Sequence, residues 1–127
     1  MGIDREAFYD ESRIAIVPMG LCYPGRNDAG GDKPPIAECA PLWHPRILPL
    51  LENVRLTLLI GRYAQRFHLG AKAGRTVAET VAAWRDFLPR RLPLPHPSWR
   101  TTAWERQRPW FRRDLLPELQ KLVRRLL

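Results

Sequence analysis

Long apolar runs are missing from this 127-residue chain. No stretch approaches the roughly 18 apolar residues that a bilayer-spanning helix needs, so a membrane protein is not expected. An export signal is missing too: the first twelve residues carry Asp4, Glu6, Asp10 and Glu11 and no apolar core. Cysteine is scarce, with Cys22 and Cys39 alone. Two cysteines without an export signal suit a reducing cytoplasm, where they read as thiols or ligands rather than a bridge. Neither a P-loop nor a Gly-x-Gly-x-x-Gly run occurs, which argues against a generic nucleotide-binding protein. Acids are short as well, 13 Asp and Glu against 21 Lys and Arg, for a net charge of +8. The length fits one domain spanning 1–127, large enough for a modest core.

The positive charge is concentrated in one part of the chain. Residues 1–61 carry six basic and eight acidic side chains, leaving fifteen basic against five acidic in the remainder. A balance that basic favours a polyanionic partner. The excess is mostly arginine, whose planar fork matches phosphate oxygens and whose face stacks on bases, so the pattern leans towards nucleic acid. A solvated helix face in an arginine-rich proteome would look the same.

Periodicity predicts three strands alternating with helices. Residues 1–12 read as a surface helix and turn. Arg13 to Met19 is a short β-branched apolar run, read as a buried strand. Residues 20–37 hold Gly20, Gly25, Gly30 and Gly31 among prolines and read as a long loop. Glu38 to Leu51 is helical in pattern but interrupted by Pro41, Pro45 and Pro49, so a short or broken helix is expected. Val54 to Ile60 is the strongest strand and runs into Gly61 and a short helix over Arg62 to Leu69. Thr76 to Phe87 is amphipathic, with Thr76 as cap and Pro89 as stop. Leu92 to Leu94 is a brief strand, and Asp114 to Leu127 is a second amphipathic helix with Leu115, Leu119, Leu122, Val123 and Leu126 on one stripe. That order predicts an α/β fold, a three-layer α/β/α arrangement around a short, mostly parallel sheet. Ligands of such sheets bind beyond the carboxyl ends of the strands. The segments 18–25, 61–65 and 95–100 are then expected to converge.

The last of these segments carries the most chemistry. His96 stands between Pro95 and Pro97, which restrict the backbone on both sides and present the imidazole rather than bury it. Ser98 and Arg100 follow, a hydroxyl and a guanidinium suited to phosphate. Trp99, Trp104 and Trp110 lie among Arg106, Arg108, Arg112 and Arg113, an interleaving that suits bases and backbone together. A His-Pro turn that caps a strand, with tryptophans packed inward, is the plainer reading. In the second segment, Gly61 permits close approach of a ligand or backbone, and Gln65 is placed to bind a backbone group or a base edge.

Together, Leu59-Ile60-Gly61-x-x-Ala64-Gln65 and, about thirty residues later, His96-Pro97-Ser98 resemble the uracil-DNA glycosylase superfamily. Cys22 and Cys39, bracketing a Pro/Gly-rich loop and followed by Pro41-Leu42, resemble the second cysteine pair of its iron–sulfur members. The resemblance spans about residues 8–127. It implies a DNA repair enzyme that flips uracil out of DNA and hydrolyses the N-glycosidic bond. His96 would be catalytic, donating to the uracil carbonyl; Pro18, Gly61 and Gln65 would line the base pocket; Ser98, Trp99, Arg100 and Arg106 would meet DNA.

Departures from the family pattern shape further expectations. The family's first strand and its Gly-Gln-x-Pro-Gly-like, water-positioning loop have no counterpart before Arg13, which implies a member incomplete at its N-terminus. Weak or no turnover is then expected, along with unpaired, aggregation-prone strand edges. The family's uracil-reading asparagine falls on Pro18, which has no side-chain amide. Cys22 and Cys39 cannot close a four-iron, four-sulfur cluster, which takes four thiolates. No cofactor is therefore expected in this chain, although a full-length homologue would have room for the cluster. A zinc site completed by His44 is a remoter reading. The alternative function is a DNA-binding module without catalysis.

Overall fold

The computed structural model describes residues 1–127, the side chain of Trp99 excepted. The chain forms two compact units, one of residues 1–14 and 55–127, the other of residues 15–54.

The first unit is an α/β fold. Strand β1 (Thr57–Ile60) runs parallel to β2 (Arg91–Leu94), with Thr57 opposite Arg91 and Ile60 opposite Leu94. A parallel pair needs a crossover of a dozen or more residues. Here it is α3 (Gly61–Leu69), a 3-10 turn at Gly70–Lys72, α4 (Val77–Ala82) and a second 3-10 turn at Trp84–Phe87. Helix α4 starts where local chemistry dictates. Thr76 accepts a hydrogen bond from the Glu79 amide (3.1 Å), satisfying one of the donors that the first turn of α4 leaves unpaired. The Glu79 carboxylate accepts from the Arg75 amide (2.8 Å).

The core is built from both strands and the C-terminal helices. Val81, Trp84, Leu92, Leu94, Phe111, Leu115, Leu119 and Val123 form one buried cluster. Helix α6 (Leu116–Leu126) turns Leu119 and Val123 inward, as its stripe predicts, while Leu126 faces outward. A wide π-type turn at Phe111–Leu115 precedes α6, with the Leu116 amide bonded to the Phe111 carbonyl. Pro117 follows directly. Its ring would clash with the carbonyl of Arg113 in a regular α-helix, and the wider turn accommodates that ring.

Two elements differ from expectation. Arg13 to Met19 is not a strand: residues 14–18 make no ladder, and Ile16 is 65% exposed. A strand exists only by pairing, and among the described residues the sheet contains β1 and β2 alone. In Val54 to Ile60 the last four residues pair with β2, and among the described residues no strand pairs with the other edge. The second difference is a gain. Helix α5 (Trp99–Arg106) occupies residues read only as an aromatic and basic interleave. Trp104, Trp110 and Phe111 pack edge-to-face within this part of the fold, with Trp104 and Phe111 centroids 5.3 Å apart. Trp104 and Trp110 lie against the core cluster, so they are structural rather than stacking platforms for bases.

The second unit holds the glycine-rich loop and helix α2 (Cys39–Ile47), which follows a short helix α1 (Arg5–Tyr9) of the first unit in the chain. Pro45 lies inside α2, and the helix tightens at once into a 3-10 turn at Leu48–Leu50. The loop folds back through a bridge between Arg26 and Asp32, closed by Asn27 and a left-handed Gly30. Among the described residues, no helix is long and apolar enough to cross a membrane.

Truncating Leu92, which is fully buried in β2, to alanine should destabilise the protein by about 2–5 kcal/mol in urea unfolding. Ile16→Ala should stay within about 0.5 kcal/mol. A cost at Ile16 as large as that at Leu92 would restore the buried strand expected there.

Candidate functional site

Register places the ends of β1 and β2 side by side. Ile60 and Leu94 are partners, so Gly61 and Pro95 leave the sheet at one edge. Gly61 adopts φ +79°, a left-handed conformation that only glycine enters cheaply. The conformation turns the chain directly from β1 into α3. It also brings the Gly61 backbone against His96: a Cβ built on Gly61 would lie 3.5 Å from His96 Cβ and 3.8 Å from His96 Cδ2. Two of the three expected segments therefore meet, and the imidazole is on the Gly61 side.

His96 is exposed, as the flanking prolines require. Among the described residues, none hydrogen-bonds to its ring. Its backbone is held. The Thr101 hydroxyl donates to the His96 carbonyl (2.7 Å) and accepts from the Ser98 amide (3.3 Å). The Thr101 amide donates to the Ser98 carbonyl (3.0 Å). One threonine thus closes the His-Pro-Ser turn. Sequence reasoning missed it, although Ser98-x-x-Thr101 at the start of a helical stretch is a capping pattern.

Ser98 is the N-cap of α5, so the turn ends at a helix N-terminus, where unpaired amides and the helix dipole favour an anion. Arg100 in the first turn and Arg106 in the last are exposed. Trp99 opens α5 with its backbone; its side chain, expected to wedge into DNA, lies outside the described residues. Several neighbouring arginines are already engaged. Arg112 pairs with Glu105, Arg113 forks onto Asp114 (2.8 and 2.9 Å), and Arg108 covers the Trp104 ring. Hydrogen bonding from Arg113 holds the Asp114 carboxyl below the usual carboxylate range.

Gln65 does not line an open base pocket. Its side chain is 1% exposed, and Nε2 donates to the carbonyls of Leu59 (3.3 Å) and Leu94 (2.8 Å). Of the two expected roles for Gln65, backbone partner or base reader, the backbone takes the amide.

Pro18, Cys22 and Cys39 belong to the second unit. Pro18 offers its carbonyl to His44 Nε2 (2.9 Å), and Cys39 Sγ accepts from the Leu21 amide (3.1 Å). Cys39 is buried and Cys22 exposed, both as free thiols. Two cysteines, one of them serving as a backbone acceptor, do not fit a four-iron, four-sulfur cluster. The described residues contain no group of three or more His, Cys, Asp or Glu that could hold a metal ion. A crevice of about 370 Å³ lies elsewhere, lined by Met1, Ile3, Asp4, Arg5, Phe8 and Tyr9. It contains none of the residues that carry the chemistry above, so the strand-end turns, not this crevice, are the candidate site.

The family model described as the uracil DNA glycosylase superfamily matches residues 1–120.

Replacing Thr101 by valine removes the hydroxyl that bridges His96 and Ser98. Amide exchange at Ser98 should quicken about fivefold, the equivalent of one net hydrogen bond, while Thr101→Ser keeps the wild-type rate. Unchanged protection in Thr101→Val would mean that the turn does not depend on this staple.

Proposed function

Because the chain belongs to the uracil-DNA glycosylase superfamily, we propose that it excises uracil from DNA by hydrolysing the N-glycosidic bond of a flipped-out nucleotide. The observation that carries this reading is the exposed imidazole of His96 standing against Gly61 at the shared end of two parallel strands. In the proposed reaction the C1′–N1 bond breaks and its electron pair leaves on the base. His96 donates a hydrogen bond to a uracil carbonyl oxygen, where that charge develops. Water adds to C1′, and its proton offsets the charge of the released base. Flipping costs a few kcal/mol, least where uracil is mispaired or the strand is single.

Binding follows from the same turn. Ser98 and Arg100, at the start of α5, face phosphates beside the flipped nucleotide, and Arg106 extends the contact along the strand. Phosphate neutralisation by arginine and by helix amides positions the backbone without reading sequence.

A second reading, a DNA-binding module without catalysis, is favoured by Pro18. It stands where the resembled pattern has an amide for the base, and its carbonyl is taken by His44. The two readings part on a single assay. Uracil release from single-stranded and U·G duplex oligonucleotides should fall by at least about 100-fold in His96→Ala, the size expected for one lost transition-state donor. Undiminished release would remove His96 from the mechanism; no release by the wild-type chain would leave the binding module.

Both readings require phosphate-driven affinity. With about four phosphates neutralised, affinity for a short duplex should fall on the order of 100-fold over a fourfold rise in salt. Salt-independent binding would refute the DNA interface at α5.

A further inference from the structure

We infer that Gln65 is the positioning residue of this site: its one amide ties together the two strand ends from which Gly61 and His96 emerge. The inference takes the His96 site proposed above as its premise and adds a residue that touches no DNA.

The amide is buried, and a buried amide without partners is costly. Its two N–H groups go to the carbonyls of Leu59 and Leu94. Those carbonyls are equivalent in one respect. Leu59 lies two residues before Gly61, and Leu94 lies two residues before His96. A single planar group therefore sets the distance between both exits. The sheet needs this help. The ladder ends at Ile60 opposite Leu94, where the chain turns into α3 at Gly61, and the Leu94 carbonyl takes its donor from Gln65. Only two strands form the sheet among the described residues, and no further strand clamps the pair from the side.

The amide can be placed only one way round. With Nε2 and Oε1 exchanged, an acceptor oxygen would face two carbonyls. In the orientation seen, Oε1 makes no hydrogen bond to the protein. Gln65 also borders a slot of about 10 Å³ beside Gly74, Thr76 and Thr80, close to the size that admits one water.

Gln65 lies on α3, on the inward stripe with Gly61, Ala64 and Leu69. Leucine at this position would fill the same space without donors. Glutamate would place a carboxylate against two carbonyls and donate only when protonated. Its pKa in the folded protein is therefore raised above the unfolded value. The folded state then binds more protons than the unfolded one across that window. Stability of Gln65→Glu should accordingly be present at acid pH and lost as pH rises through the raised value.

The direct readout is the contact between Gly61 Hα and the His96 Hβ and Hδ2 protons, seen as a nuclear Overhauser cross-peak in the intact chain. Gln65→Leu should lose that cross-peak, whereas Val123→Ala, a core truncation on α6, should lower stability and keep it. In Gln65→Glu the cross-peak and the unfolding midpoint should both recover on acidification, a response that simple packing does not produce. If uracil release is measurable, kcat should fall at least about tenfold with KM unmoved, since misplacement acts on the reacting geometry. A full-intensity cross-peak in Gln65→Leu would overturn the inference. If Gln65→Leu does not fold, the pH response of Gln65→Glu decides, and its absence overturns the inference equally. No uracil release by the wild-type chain would refute the proposed function alone, because the cross-peak still reports on Gln65.

Discussion

Close approach of the Gly61 backbone to His96 is the contact on which the site is built. It has two preconditions. The strands must be parallel and in register at their ends, so that both chains leave the sheet on one edge. The first residue beyond β1 must also lack a side chain and accept a positive φ, or the chain could not pass into α3 beneath the imidazole. The parallel pairing is itself a product of the crossover through α3 and α4, which buries Val81 and Trp84 against the strands. Core packing, strand register and the placement of one imidazole thus form a single chain of causes.

Charge in the C-terminal half divides by use. Arg112 and Arg113 are held by acids, and Arg108 lies over an indole while donating to the Trp104 carbonyl. These groups add to the long-range positive field. Arg100 and Arg106 stand at opposite ends of α5, on the helix whose N-terminus adjoins His96. In the proposed function, a polyanion drawn in by the overall field would meet its directional contacts beside the imidazole.

Much of this was legible in the sequence, for identifiable reasons. The α/β class, the strand before Gly61, the Thr76 cap and the inward stripe at Leu119 and Val123 are local signals that the tertiary structure keeps. The juxtaposition of Gly61 with His96 was legible because both follow short apolar runs that end in a breaker. The strand read at Arg13 to Met19 failed because apolar, β-branched character describes a side-chain set, whereas a strand needs a neighbour's backbone. Helix α5 was hidden by its weak amphipathicity: Trp99, Arg100, Thr101 and Thr102 give no clear stripe, and the start signal at Ser98 carries the information instead. Gln65 was placed in the right segment with the wrong partner open beside the right one. Sequence shows that a glutamine follows the turn; it does not show that the ladder ends at Leu94, whose carbonyl takes its donor from that glutamine.

An exposed histidine is usually a mobile one, and mobility costs a reaction that needs a fixed donor. Ordering one residue's backbone costs about 1–2 kcal/mol, which must be met before binding if it is not to be subtracted from it. Around His96 the cost is met by covalent and hydrogen-bonding constraints rather than by burial. Pro95 and Pro97 restrict the backbone from within, Thr101 holds the carbonyl from α5, and Gly61 supports the side chain from β1. None of these contacts covers the ring nitrogens. The arrangement leaves the imidazole exposed while fixing where its backbone stands, and this combination distinguishes a presented histidine from a merely surface-exposed one.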